Sequence, residues 1–125
     1  MDFSKNNKAI YLQITDSIFE YILSKKWKPE ERIPSVRDFA VSIQVNPNTV
    51  MRAYTYLQEK EIIYNQRGIG FFVSESAYEK SIEIRKIQFV ENELPNVFKN
   101  LDLLDMDISE IEKLYTKSKN KLGLK

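Results

Sequence analysis

The sequence contains no cysteine and no histidine. That excludes disulfides, thiolate and imidazole metal ligands, and any mechanism resting on a Cys nucleophile or a His base, so much of ordinary enzyme chemistry is closed to it. Long apolar runs are also missing, and no stretch could span a bilayer. The opening residues Met1-Asp2-Phe3-Ser4-Lys5 lack the basic stretch and apolar run of a signal peptide, which makes the cytoplasm the expected location and a membrane an unexpected partner. Nor is there an excess of one charge: 19 basic and 18 acidic side chains leave a formal +1. Residues 1–76 hold ten basic and nine acidic groups, and residues 77–125 hold nine of each. Any nucleic-acid surface must therefore come from the placement of cations on one face rather than from their total.

What is present suits a folded chain, since 125 residues with 42% hydrophobic content allow one domain, or a small domain with an appendage, around a real core. Ile10, Ile14, Ile18 and Ile22 recur every four residues and predict a first helix from Ile10 to about Lys26 with one buried stripe. Pro29 cannot continue it, and Ile33-Pro34 reads as a short extended piece. Ser35, with Asp38 three residues on, is a loose capping box for a second helix, whose inward side is Val36, Phe39, Ala40 and Ile43. Asn46-Pro47 supplies an N-cap and a first-turn proline for a third helix over about 47–60, with Val50, Ala53, Tyr54 and Leu57 inward. Ile62-Ile63-Tyr64 and Phe71-Phe72-Val73 then flank a loop, residues 65–70, with two glycines and a basic tip, which predicts a hairpin.

Three helices followed by a hairpin is the order of a winged helix-turn-helix, whose third helix enters the major groove of DNA. The expected fold is thus mainly α with a small β-hairpin: a winged helix-turn-helix over residues 1–76 followed by a two-helix dimerisation appendage over residues 77–125. In the appendage, Ile82, Ile87, Val90, Leu94, Val97, Phe98 and Leu101 trace an apolar stripe through a bend at Pro95. Asp107 and Glu110 can cap a last helix with Ile108, Ile111, Leu114 and Tyr115 on one face, ahead of a polar tail, Lys117 to Lys125, expected to fray. Two helices cannot enclose a core, so these faces must pack on the first domain or on a second copy of the chain, and the second copy is favoured.

From Ala9 to Val73 the chain resembles the GntR family of bacterial transcriptional regulators. The resemblance lies in Ala9-Ile10-Tyr11-Leu12-Gln13-Ile14, in Ile33-Pro34-Ser35-Val36-Arg37-Asp38-Phe39-Ala40, in Val45-Asn46-Pro47-Asn48-Thr49-Val50 with Ala53-Tyr54 and Leu57, and in Arg67-Gly68-x-Gly70-x-Phe72-Val73. The short tail resembles the YtrA-like branch, which lacks the larger effector-binding domain, and the length excludes the branch fused to an aminotransferase-like domain. By analogy with that branch, the targets are transporter operons. Lys25, Glu30 and Glu61 stand where the family usually has Gly, and Pro47 stands where many members carry a base-contacting Arg.

The expected DNA-binding residues are Ser35, Arg37, Asn46, Asn48, Thr49, Arg52, Arg67 and Gly68. Arg37 resembles the family's phosphate or base-edge contact, and an exposed Arg in a first turn can fork onto a phosphate. A local pair with Asp38 or Glu31 is its bland alternative. On helix three, Asn48, Thr49, Met51, Arg52 and Thr55 point outward; Asn48 suits adenine, Thr49 a phosphate or thymine methyl, and Arg52 backbone or guanine. An ordinary solvated helix face is the alternative there, with Asn46 merely a cap. Arg67 and Gly68 resemble the family's wing contact, where Gly admits a close backbone approach and Arg suits a narrow minor groove; otherwise Gly68-Ile69-Gly70 is a tight turn. It is no dinucleotide fingerprint, because no helix follows it.

Asp102, Asp105 and Asp107 lack the spacing and the turn glycine of an EF-hand, so no metal or cofactor is expected. The function expected is a sequence-specific regulator of transcription, a repressor rather than an activator, binding an inverted repeat in double-stranded DNA as a homodimer through its C-terminal helices. A winged helix serving as a protein or RNA interaction module is the alternative, and an enzyme is not expected. An apolar pocket for an unknown small-molecule effector could lie between tail and winged domain, though no polar cluster points to a ligand.

Overall fold

The structure is a computed structural model describing residues 8–121. Residues 1–7, with the segment read for a leader, and residues 122–125, the end of the expected frayed tail, lie outside the described residues. The elements are α1 (Ile10–Leu23), α2 (Val36–Ile43), α3 (Pro47–Glu59), β1 (Ile63–Gln66), β2 (Gly70–Val73), α4 (Ala77–Gln88), a π-helical turn (Phe89–Glu93), α5 (Leu94–Leu103) and α6 (Ile108–Lys121). The fold is mostly helical with one antiparallel hairpin, as the hydrophobic periodicity predicts.

Ile14, Ile18 and Ile22 of α1 are buried together with Phe19, whereas Ile10, at the very start, stays 45% exposed. The helix stops at Leu23, short of Lys26, because Lys25 adopts a left-handed conformation (φ 64°) and the Trp27 N–H turns back to the Tyr21 carbonyl at 3.0 Å. The α2 cap forms as expected, with Ser35 Oγ accepting the Asp38 N–H at 3.1 Å. Phe39 and Ala40 are buried, while Val36 and Ile43 are only half-buried. Gln44, at φ 56°, closes the helix, and the Val45 N–H bonds the Ala40 carbonyl at 3.0 Å. This reversal delivers the chain into α3, where Asn46 Oδ1 accepts the Asn48 N–H at 2.8 Å. All four residues of the expected α3 stripe, Val50, Ala53, Tyr54 and Leu57, are buried.

The hairpin pairs Ile63 with Val73 through to Gln66 with Gly70, leaving Arg67, Gly68 and Ile69 as the tip. The strands therefore start one residue later than the Ile62 triplet and run further toward the tip than the six-residue loop implied. Ile62 is instead buried in the reversal after α3, its N–H donating to the Leu57 carbonyl at 2.9 Å. The extended piece before α2 lies along β2, with the Ile33 N–H on the Phe71 carbonyl and the Val73 N–H on the Glu31 carbonyl, each at 3.0 Å. A file of aromatic rings crosses the core: Tyr21, Trp27, Phe39, Tyr54 and Phe71 follow one another with centroid separations of 5.2, 5.7, 6.2 and 5.1 Å. Such tilted and edge-on neighbours add about 0.5–1.5 kcal/mol each beyond the area they bury.

The chain divides into two compact units, Met1–Arg85 and Lys86–Lys125. The first runs beyond the boundary at residue 76 because the start of α4 is built into it. Ala77 and Ser81 are buried, Lys80 Nζ meets Glu61 at 2.9 Å, and Arg85 Nη1 meets Asp16 at 2.9 Å. In the second unit the bend expected at Pro95 takes the form of the π-turn just before it. Proline has no N–H to give residue 91 and its ring crowds that carbonyl, so the turn widens and the Leu94 N–H reaches the Phe89 carbonyl five residues back. Asp105 ends the following reversal at φ 55°. The α6 cap forms, with the Asp107 N–H on Glu110 Oε2 at 2.9 Å, and the helix holds through Lys121, past the Lys117 where fraying was expected to begin. Among the described residues no helix is long and apolar enough to cross a membrane.

Candidate nucleic-acid interface

With 3.6 residues per turn, burial of Val50, Ala53, Tyr54 and Leu57 turns Asn48, Arg52 and Thr55 directly outward. All three are exposed, as is Met51 on one flank, whereas Thr49 on the other flank is half-buried toward α1. Asn48, Thr49 and Arg52 share a shallow groove with Ala9, Ile10 and Tyr11. There the Arg52 guanidinium lies over the Tyr11 ring, 4.1 Å from its centroid. A stack of this kind contributes about 0.5–1 kcal/mol at an exposed site and can leave the edge N–H groups free to bond an acceptor. Tyr11 was not singled out by periodicity. Its only signal was its place in the opening α1 signature, facing the outward side of α3.

Arg37, the second residue of α2, is exposed and makes no ion pair among the described residues, so the local partners Asp38 and Glu31 do not hold it. Ser35 and Asn46 each use a side-chain oxygen as a cap, which leaves the Ser35 O–H and the Asn46 amide N–H as donors. They also mark two helix N-termini, whose orphan amides and dipoles favour an anion. At the wing tip the Ile69 N–H donates to the Gln66 carbonyl at 2.9 Å, placing exposed Arg67 and Gly68 at the turn. Gly68 has φ +80° and open space around an imagined Cβ, so backbone conformation rather than crowding is what calls for glycine there. The structure thus brings Asn48, Thr49 and Arg52 together, sets Arg37 apart on α2, and places Arg67 and Gly68 side by side at the wing tip.

One buried residue ties these elements together. The Tyr54 hydroxyl donates to the Pro34 carbonyl at 2.7 Å, joining α3 to the start of α2, while its ring meets Phe71 of β2. Burial pushes this hydroxyl far above the usual phenol range, so it stays a donor at any ordinary pH. Elsewhere in this unit, Ile22, Trp27, Pro29, Val73, Ala77 and Tyr78 line an apolar recess with Lys25, Lys28, Glu75 and Glu79 at its rim. The mixed rim gives it no preference for either sign of ligand charge.

A three-helix body with a short wing, a third helix turned outward along one face and arginines on α2, α3 and the wing define a winged helix-turn-helix DNA-binding protein. The model of the bacterial regulatory proteins of the gntR family matches residues 10–73, and the chain belongs to that family. It is 35% identical over 115 residues to the HTH-type transcriptional repressor YtrA of Bacillus subtilis (strain 168), covering 89% of this chain and 82% of that one. It is 41% identical over 73 residues to the HTH-type transcriptional regulator YhcF of the same organism, covering 58% of this chain and 60% of YhcF. A crystal structure of a GntR-family transcriptional regulator from Bacteroides thetaiotaomicron superposes with a TM-score of 0.76 at 48% identity, over 91% of this chain and 99% of that one. These relatives are transcriptional regulators, not enzymes.

Proposed function

We propose that the protein is a homodimeric repressor that binds an inverted-repeat operator, with α3 in the major groove, Arg37 on the backbone and the wing tip beside it. Asn48, Arg52 and Thr55 read base edges, while Thr49, Ser35 and Asn46 contribute contacts around the two helix N-termini. The observation that carries the dimer is the condition of the tail. Neither α5 nor α6 has a single buried residue, and Leu104, Ile108 and Tyr115 stay 66%, 62% and 60% exposed in the single chain. Apolar faces of this kind on helices with no core of their own call for a partner, and a second copy gives a closed, two-fold arrangement with two recognition helices. That YtrA carries the name of a repressor supports the sign of regulation.

Selection of bound duplexes from a random DNA pool by the purified chain tests the reading, with its mass in solution measured alongside. An enriched inverted repeat bound by a dimer is the expected result, with affinity falling steeply as salt rises. A monomer, or enrichment of a single half-site, refutes the dimeric arrangement. Absence of any enrichment puts a protein or RNA partner for the winged domain in its place.

A further inference from the structure

We infer that Arg32, which precedes α2 and lies outside both hairpin strands, is a further DNA contact of the wing and grips a backbone phosphate beside the tip. The inference rests on the DNA-binding reading above and adds to it a residue that no periodicity picks out. Arg32 pairs with Phe72 in an antiparallel bridge, and Phe72 in turn faces Tyr64 across the hairpin. Side chains alternate along a strand, and Ile33, Ile63 and Val73 are buried on the inner face, so Arg32, Tyr64 and Phe72 share the outer one. Although the Arg32 backbone stands level with Phe72, its guanidinium reaches Gly70. A Cβ on Gly70 would come within 3.0 Å of Arg32 Nε and 3.3 Å of Nη2. The side chain therefore runs two residues along β2 toward the tip that carries Arg67.

Gly70 acquires a reason from the same contact. Its φ of +145° strains any other residue, and the guanidinium lying where a side chain would project would have to shift to admit one. The second glycine of the wing is thus the bed of an arginine, as the first is the hinge of the turn.

Among the described residues this guanidinium has no ionic or hydrogen-bonded partner. Arg32 is exposed and makes no ion pair or hydrogen bond from its side chain among the described residues. Of the neighbouring carboxylates, Glu30 is held by the Tyr64 hydroxyl at 2.6 Å, and Glu31 does not reach it. A flat cation laid against the hairpin backbone and pointing at the DNA-facing tip is completed by a planar pair of oxygens, and a strand phosphate offers one. Because Arg32 lies back from the tip, beside Gly70, it meets the wall of the groove rather than its floor.

The test is equilibrium binding of the full chain to a random-sequence duplex and to a duplex selected from a pool, each across a range of salt, with melting temperature measured in parallel. Arg32→Ala is expected to weaken binding to both duplexes at least about tenfold and to lower the slope of log affinity against log salt by about 0.9 for each subunit bound, so by about 1.8 for a dimer, with the melting temperature unchanged. Arg32→Lys is expected to keep the slope, because charge is retained, while losing part of the affinity with the planar fork. Wild-type affinity and slope in Arg32→Ala overturn the inference while leaving the DNA-binding reading intact. So does a fall in affinity that tracks a fall in melting temperature at an unchanged slope, which would mark a packing role. Failure of the wild-type chain to bind either duplex overturns both.

Discussion

Glu61→Gly should stabilise the protein, although it deletes an ion pair. Glu61 follows α3 with φ 60°, its N–H on the Gln58 carbonyl at 3.0 Å and the next N–H, of Ile62, on the Leu57 carbonyl at 2.9 Å. That pair of bonds, with buried Ile62 packed over buried Leu57, is the Schellman closure, whose left-handed position is ordinarily glycine. A side chain in this conformation costs about 1–2 kcal/mol, and the greater freedom of glycine in the unfolded chain returns about 0.5–1 of that. The bridge to Lys80 is 2.9 Å long, but the Glu61 side chain is 75% exposed, so it contributes only about 0.3 kcal/mol. A net gain of about 0.5 kcal/mol remains, or roughly 2 °C in melting temperature. Glu61→Ala isolates the backbone effect, since it also loses the bridge but keeps the strained conformation. Urea unfolding followed through Trp27, the only tryptophan, would place Gly above wild type and Ala below it. If Glu61→Gly proves no more stable than Glu61→Ala, left-handed strain is not what separates this residue from the glycine of its relatives.

Tyr54→Phe removes the bond to the Pro34 carbonyl and should cost about 1 kcal/mol, read as a lower urea midpoint. Since burial raises the Tyr54 hydroxyl, the folded state holds its proton where the unfolded chain releases it. Stability should therefore be intact below pH 10 and decline above it, with a shallower decline in Tyr54→Phe; identical slopes would contradict the assigned burial. Ser81→Ala should raise stability by about 1 kcal/mol, because Ser81 Oγ is buried without a hydrogen-bond partner among the described residues and Ala is the better helix former. A loss on thermal melting would reveal a partner for that hydroxyl. Tyr11→Leu should weaken operator binding about threefold by releasing Arg52, and should have no further effect in an Arg52→Ala background. Additive losses would show that the stack does not serve binding. Leu114→Glu, placing a charge on the exposed face of α6, should turn a dimer into a monomer by light scattering.

The winged body was legible because its signals are local and redundant. Ser35 and Asn46 announce helix starts, Pro47 sits where a missing N–H costs nothing, and Val50, Ala53, Tyr54 and Leu57 repeat at the helical period. Each is a property of one turn of chain and survives folding unchanged. Features that depend on two distant segments left no such trace. The stack of Arg52 on Tyr11 joins α3 to α1, and the bed of Arg32 on Gly70 joins the pre-α2 segment to the wing. Neither residue type nor spacing distinguishes those arginines from solvated ones. The end of α1 falls earlier than the sequence suggests for a related reason. Lys25 reads as a helix-compatible side chain, and only the backbone shows it, like Glu61 just past α3, turned left-handed. The missing glycines were visible as departures from the family pattern, but not the fact that the conformation persists without them.

That persistence bears on what the protein recognises. At the start of α3 a proline occupies the position where the family resemblance implies a base-contacting arginine, yet the helix begins in register, held by Asn46 Oδ1 on the Asn48 N–H and by the Tyr54 hydroxyl on Pro34. The scaffold is thus kept while the reading residue at its leading edge is removed. With no side-chain cation at Pro47, the first guanidinium along α3 is Arg52, more than a turn further on and leaning toward α1 over Tyr11. On the proposed reading, base readout is expected to shift from the tip of the helix toward Asn48, Arg52 and Thr55. A bidentate amide at Asn48 suits adenine where an arginine would have suited guanine. The operator of this protein should accordingly differ from those of relatives with the arginine at the base pairs met by the N-terminus of α3, while sharing their half-site geometry, because geometry follows from the scaffold and sequence from the few side chains it leaves exposed.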